Sequence, residues 1–179
     1  MFDDPVLGVD PGLARLGLAV VCRRDGKPFL VWSAAIQTAA GLDDAARLLR
    51  ISEAVRAAID EHRPASVALE RVAWNVNKAS AMAVARATGV VMATAAEAGV
   101  RVEEYGSLEV KNAVAGFGNA GKPQVRQALE RVHGLHGVPN QADAADAVAV
   151  AVTHLVRSRF TAAVERSSAG RARAGRGSR

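Results

Sequence analysis

A mixed α/β sheet with helices on both faces is the architecture this sequence predicts. Three apolar runs of strand length follow one another over residues 5–36, and from residue 43 onward helix-like and strand-like patterns alternate. Strands joined by tight turns make an antiparallel meander, whereas strand–helix–strand crossovers make parallel neighbours. One sheet must therefore contain both.

The first strand covers residues 5–10 and ends at Asp10, where Pro11-Gly12 permits a tight turn. The second covers 16–23, with Gly17 near its start allowing close approach, and Arg24-Asp25-Gly26-Lys27 separates it from the third at 29–36. Residues 43–62 read as a helix: Asp43 and Asp44 favour its start, and Ala46, Leu49, Ala54, Val55, Ala58 and Ile59 recur with a rough 3.6 period. A short strand at 66–70 ends on Glu70. A long Ala-rich helix follows at 77–98, in which Ala81, Ala85, Gly89 and Ala93 form a stripe of small residues that must pack on the sheet or on a second copy of the chain. A strand at 100–104 and helices at 107–115, 123–133 and 141–157 complete the pattern. Pro123 suits a first helical turn and leaves Lys122 exposed at its start.

With 179 residues, half of them apolar, the chain suits one buried core, expected at residues 1–157. The remainder, 158–179, is rich in Ala, Gly, Arg and Ser and is expected to be a flexible basic tail. It holds six arginines against Glu165, so the formal charge of +5 resides there and the body is neutral. No apolar stretch reaches the roughly 20 residues of a membrane span, and the acidic start Met1-Phe2-Asp3-Asp4 is unlike a signal peptide. A cytoplasmic protein is expected. The single Cys22 lies in a strand-like run and reads as core packing.

Four carboxylates stand out. Asp10 and Glu70 each close an apolar run, and Asp143 and Asp146 open a late apolar helix three residues apart, on one face. A carboxylate at the end of a buried strand loses hydration and is costly unless a cation compensates it. Oxygen ligands alone favour Mg2+ or Mn2+. Each acid has a plainer reading: Asp-Pro-Gly is a common turn, Glu70 a solvated strand end, Asp143 a complement to the helix dipole. Asp146 resists one, because small apolar residues surround it. Residues 116–123 resemble a dinucleotide fingerprint and most of a P-loop, but they follow a helix, and Pro123 stands where a P-loop needs Ser or Thr. Between Glu70 and the long helix, Arg71, Trp74, Asn77 and Lys78 mix basic, aromatic and amide groups that suit phosphates and an unpaired base. His62, His133, His136 and His154 show no ligand spacing.

Gly8-Val9-Asp10-Pro11-Gly12, Ala68-Leu69-Glu70-Arg71-Val72, Glu109-Val110-Lys111, the loop from Gly116 to Lys122, and Gln141-Ala142-Asp143-Ala144-Ala145-Asp146-Ala147 followed by Ala151-Val152-Thr153-His154 together resemble the RuvC family of Holliday-junction resolvases. The resemblance covers about residues 5–157. It implies a ribonuclease-H-like fold with a five-stranded mixed sheet, a homodimer whose long helices pack together, four-way junction DNA as substrate and the RuvA-RuvB branch-migration complex as partner. It makes Asp10, Glu70, Asp143 and Asp146 the metal-binding catalytic acids. It makes Lys111 and Lys122 contacts to the DNA backbone; the reading of the residues themselves adds Arg71, Trp74, Asn77, Lys78 and Arg126 as DNA-binding candidates. The family usually carries an aromatic wedge three positions after its catalytic Glu, where this chain has Ala73; Trp74 follows one position later.

The expected chemistry is hydrolysis of a DNA phosphodiester at two Mg2+ or Mn2+ ions per site, giving 5′-phosphate and 3′-hydroxyl ends. A nonenzymatic junction-binding protein and an RNA-directed nuclease of the same fold are the rivals. A sugar-kinase-like phosphotransferase would need a second large domain, for which the chain has no room.

Overall fold

The computed structural model describes residues 3–71 and 78–174. Five strands, β1 (Asp3–Asp10), β2 (Arg15–Arg24), β3 (Lys27–Gln37), β4 (Ser66–Glu70) and β5 (Arg101–Tyr105), form one sheet in the order β3-β2-β1-β4-β5. The first three make an antiparallel meander, and β4 and β5 add to β1 in parallel. Asp25 and Gly26 close the β2–β3 hairpin with φ of 53° and 77°, the paired left-handed geometry that suits the twist of flanking strands.

The helices are α1 (Asp44–His62), α2 (Lys78–Glu97), α3 (Ser107–Ala115), α4 (Lys122–Arg131) and α5 (Ala142–Ala174). Asp43 caps α1 by accepting the Ala46 amide at 2.8 Å. Alternation along the strands sorts the core into two layers. Leu7, Val9, Leu18, Val20, Val67 and Leu69 face α1 and α2, whereas Val6, Ala19, Val21 and Ala68 face α5 with α3 and α4. By the same period of two, Asp10 lies on the α5 face with Val6 and Gly8, and Glu70 lies there with Ser66 and Ala68.

Two glycines seat α5 on the sheet. A Cβ at Gly8 would run into the Ala147 carbonyl oxygen and come within 2.8 Å of Ala151 Cβ; one at Gly17 would strike the Asp143 carbonyl. The helix backbone therefore lies directly on β1 and β2, and its small residues Ala144, Ala147 and Ala151 make that approach possible.

The structure adds to two expectations. Over residues 158–174, expected as a flexible basic tail, α5 continues to Ala174. Ala and Arg are strong helix formers and no proline interrupts the segment, so nothing local ends the helix at 157. The small-residue stripe of α2 also finds its place: Ala87, Val91 and Ala95 are the buried face, while Ala85, Gly89 and Ala93 point away from the sheet, with Ala81 half-buried.

Candidate active site

The carboxyl ends of β1 and β4 build the site. Val9 pairs with Leu69 in parallel register, so Asp10 and Glu70 follow at the next position on adjacent strands, roughly one strand spacing of 5 Å apart on the same face. Both are half-buried. The glycine contacts bring the first turns of α5 over this edge, carrying Asp143 and Asp146 with them.

Burial pushes the Asp10 carboxyl from its ordinary 3.8 up to about 7, helped by the charges of Glu70, Asp146 and Asp143. Glu70 is raised chiefly by burial and then by Asp146, against the lowering influence of Lys122, a Ser107 hydrogen bond and Lys111. Four acids from β1, β4 and α5 thus act on one another. Their positions, distant in sequence, make one electrostatic centre.

Lys122 enters that centre from the start of α4. Its ammonium donates a 2.6 Å hydrogen bond to Asp146 Oδ2, the main reason its own pKa is raised. The Asp146 side chain is 28 % exposed and the Lys122 side chain 71 %. Beside them opens a cleft of ≈ 280 Å³ lined by Glu70, Ser107, Lys111, Gly121, Lys122 and Asp146.

Among the described residues, no three acidic, His or Cys side chains are drawn into one ligand shell. The donor set nevertheless fits a hard divalent ion: it is all carboxylate and partly desolvated, and burial, with the neighbouring negative charges adding to it, raises Asp10 to about 7. Asp10, Glu70, Asp143 and Asp146 would be its ligands.

The other expected residues are distributed differently. Lys111 lines the cleft from α3. Arg71 lies exposed just past Glu70, its amide donating to the Tyr105 carbonyl at 2.9 Å. Arg126, also expected on the DNA, has partners within the protein: it donates to the Pro139 and Val138 carbonyls at 2.7 and 2.8 Å and pairs with Glu130 at 3.1 Å. These bonds fasten α4 to the loop before α5, which sets Lys122 beside Asp146. Trp74, Asn77 and the Ala73 position lie outside the described residues, and α2 begins at Lys78.

Ser107 was not among the expected site residues. It opens α3 immediately after β5, whose last residue Tyr105 pairs with Glu70. That neighbouring strand end was the available signal. Two of the histidines serve the scaffold: His154 bridges Ser66 Oγ at 3.0 Å and Tyr105 OH at 2.9 Å, and His133 bonds the Val114 carbonyl.

The family model for crossover junction endodeoxyribonuclease RuvC matches residues 6–154. A crossover junction endodeoxyribonuclease RuvC from Syntrophomonas wolfei is 39% identical over 163 residues, covering 91% of this chain and 95% of that protein. The structure of Thermus thermophilus RuvC in complex with a Holliday junction substrate superposes with a TM-score of 0.82 at 34% identity, covering 88% of this chain and 96% of the other. The yeast mitochondrial Holliday junction resolvase Ydc2 shares the fold at a TM-score of 0.67 and 12% identity, over 91% of this chain and 81% of the other.

Proposed function

This chain belongs to the RuvC family of crossover junction endodeoxyribonucleases and is a Holliday junction resolvase; from that premise we propose that it nicks two strands of a four-way junction symmetrically at a centre of two Mg2+ or Mn2+ ions held by Asp10, Glu70, Asp143 and Asp146. The observation that carries this reading is the convergence of acids from β1, β4 and α5 on one edge, with Asp10 raised to about 7 by burial and by the other three. The ions, when bound, would lower the pKa of an attacking water and stabilise the leaving 3′ oxygen.

The side chains supply positioning and charge. Lys111 and Lys122 flank the cleft and offer ammonium groups to the non-bridging phosphate oxygens of the cut strand. Asp10 and Glu70, fixed by strand register, set the edge along which that strand lies. Asp146 faces them from a helix whose seat on Gly8 and Gly17 leaves little freedom. The products are 5′-phosphate and 3′-hydroxyl ends. A homodimer formed through the exposed face of α2 gives two such sites about one two-fold axis, which suits a junction needing paired cuts. The family resemblance adds RuvA-RuvB as the motor that delivers the junction.

The test is the Asp10→Asn protein on a synthetic four-way junction with Mg2+ or Mn2+. Cutting falls by about a hundred-fold or more while junction binding persists. Undiminished cutting overturns the mechanism, and equal cutting of an RNA junction favours a nuclease directed at RNA.

A further inference from the structure

Lys122 answers to two demands. Its ammonium is bonded to Asp146 at 2.6 Å, within an acid cluster that calls for a cation, yet its stem is largely exposed at the tip of α4 beside the cleft meant for DNA. One ammonium cannot give its best geometry to Asp146 and to a strand phosphate together. We propose that Lys122 is an exchangeable counter-ion: it neutralises the acid cluster until a divalent metal enters, then moves to the phosphate of the bound strand, so that metal and junction bind with positive coupling. This rests on the nuclease reading above.

The physical case has three parts. First, the acids need positive charge without metal, and Lys122 supplies some of it to Asp10 and Glu70 as well as to Asp146. Second, a divalent ion at the same carboxylates brings twice the charge and removes most of the attraction that keeps the ammonium there. Third, the released group can travel. Lys has a flexible four-carbon stem and a compact charge, and here the side chain is 71 % exposed, so its motion requires no repacking. The backbone beneath stays fixed, because Pro123 starts the helix and Arg126 ties it to residues 138–140. Since binding couplings are reciprocal, metal strengthens junction binding by the same factor as junction strengthens metal binding.

A permanent ion pair that merely joins α4 to α5 makes different predictions. The experiment compares wild type, Lys122→Met and Lys111→Met. Mn2+ affinity without DNA is read from the free-ion electron paramagnetic resonance signal, and junction affinity from fluorescence anisotropy in EDTA and in Ca2+. Lys122→Met binds Mn2+ about three- to tenfold more tightly than wild type, the range of an exposed ion pair and its neighbouring charges. Lys111→Met, which removes a cleft charge but breaks no bond to Asp146, shifts it less. The factor by which Ca2+ tightens junction binding shrinks in Lys122→Met. The proposal is overturned if Lys122→Met binds Mn2+ no better than wild type, or if Ca2+ tightens the junction equally in both. Circular dichroism confirms that the variants compared are folded. Metal-dependent cutting by wild type is assayed in parallel: its absence sinks the nuclease reading and the exchange with it, whereas its presence alongside an unchanged Mn2+ affinity sinks only the exchange.

Discussion

At the scale of single residues, Asp10 binds a proton that the unfolded chain would already have released. Its carboxyl titrates at about 7 in the folded protein against an ordinary 3.8. Between those values the native state holds more protons than the unfolded one, so metal-free stability falls as pH rises through the window and the penalty is absent below it. Calorimetry in EDTA is expected to show the Asp10→Asn protein gaining stability relative to wild type as pH goes from about 4 to about 7. Taking the difference cancels other groups, such as His154, whose pKa burial lowers. A constant difference would mean that Asp10 is not desolvated. Asp10 and Glu70 were legible in the sequence because an acid ending a continuous apolar run conflicts with its surroundings. Lys122 was legible as an exposed cation but not as the partner of Asp146, since that contact depends on how two helices meet. Arg126 illustrates the same limit: its charge suggested DNA, and only the fold shows the carbonyls of Val138 and Pro139 waiting for it.

Among elements, α5 is placed by what β1 and β2 lack. Gly8→Ala would drive a methyl into the Ala147 carbonyl and to within 2.8 Å of Ala151 Cβ, and no flexible side chain end is there to yield. Overpacking of this kind costs about 1–3 kcal/mol. Urea unfolding of Gly8→Ala is expected to show that loss with an unchanged m-value. Cutting should drop further than the folded fraction does, because Asp146 rides on the displaced helix. Normal stability would show that α5 can shift without cost. Gly17 was readable from the sequence as a site of close approach, with no indication that a helix more than a hundred residues later uses it, and Gly8 was not singled out as one. The end of α5 was not legible, because composition alone cannot separate a basic tail from an Ala- and Arg-rich helix when no proline intervenes.

For the molecule as a whole, α2 presents a prepared surface. Its sheet-facing side is filled by Ala87, Val91 and Ala95, while Met82 and Met92 are 59% and 39% exposed beside Ala85, Gly89 and Ala93, and a Cβ at Gly89 would meet nothing. Ala85→Arg is expected to leave monomer folding intact and to convert the proposed dimer into a monomer in light scattering; an unchanged mass would remove this face from the proposed interface. The sheet was legible at this scale because consecutive runs dictate a meander and crossovers dictate parallel neighbours. The side of α2 left open was not, since a stripe of small residues fits either sheet or partner. The seating of Ala147 and Ala151 on Gly8 joins the opening strand to the closing helix. During synthesis, a ribosome-bound chain without that helix would carry half its acids over a sheet whose Val6, Ala19, Val21 and Ala68 have no cover. Completion of the core and the arrival of Asp143 and Asp146 beside Asp10 and Glu70 therefore belong to the same folding event.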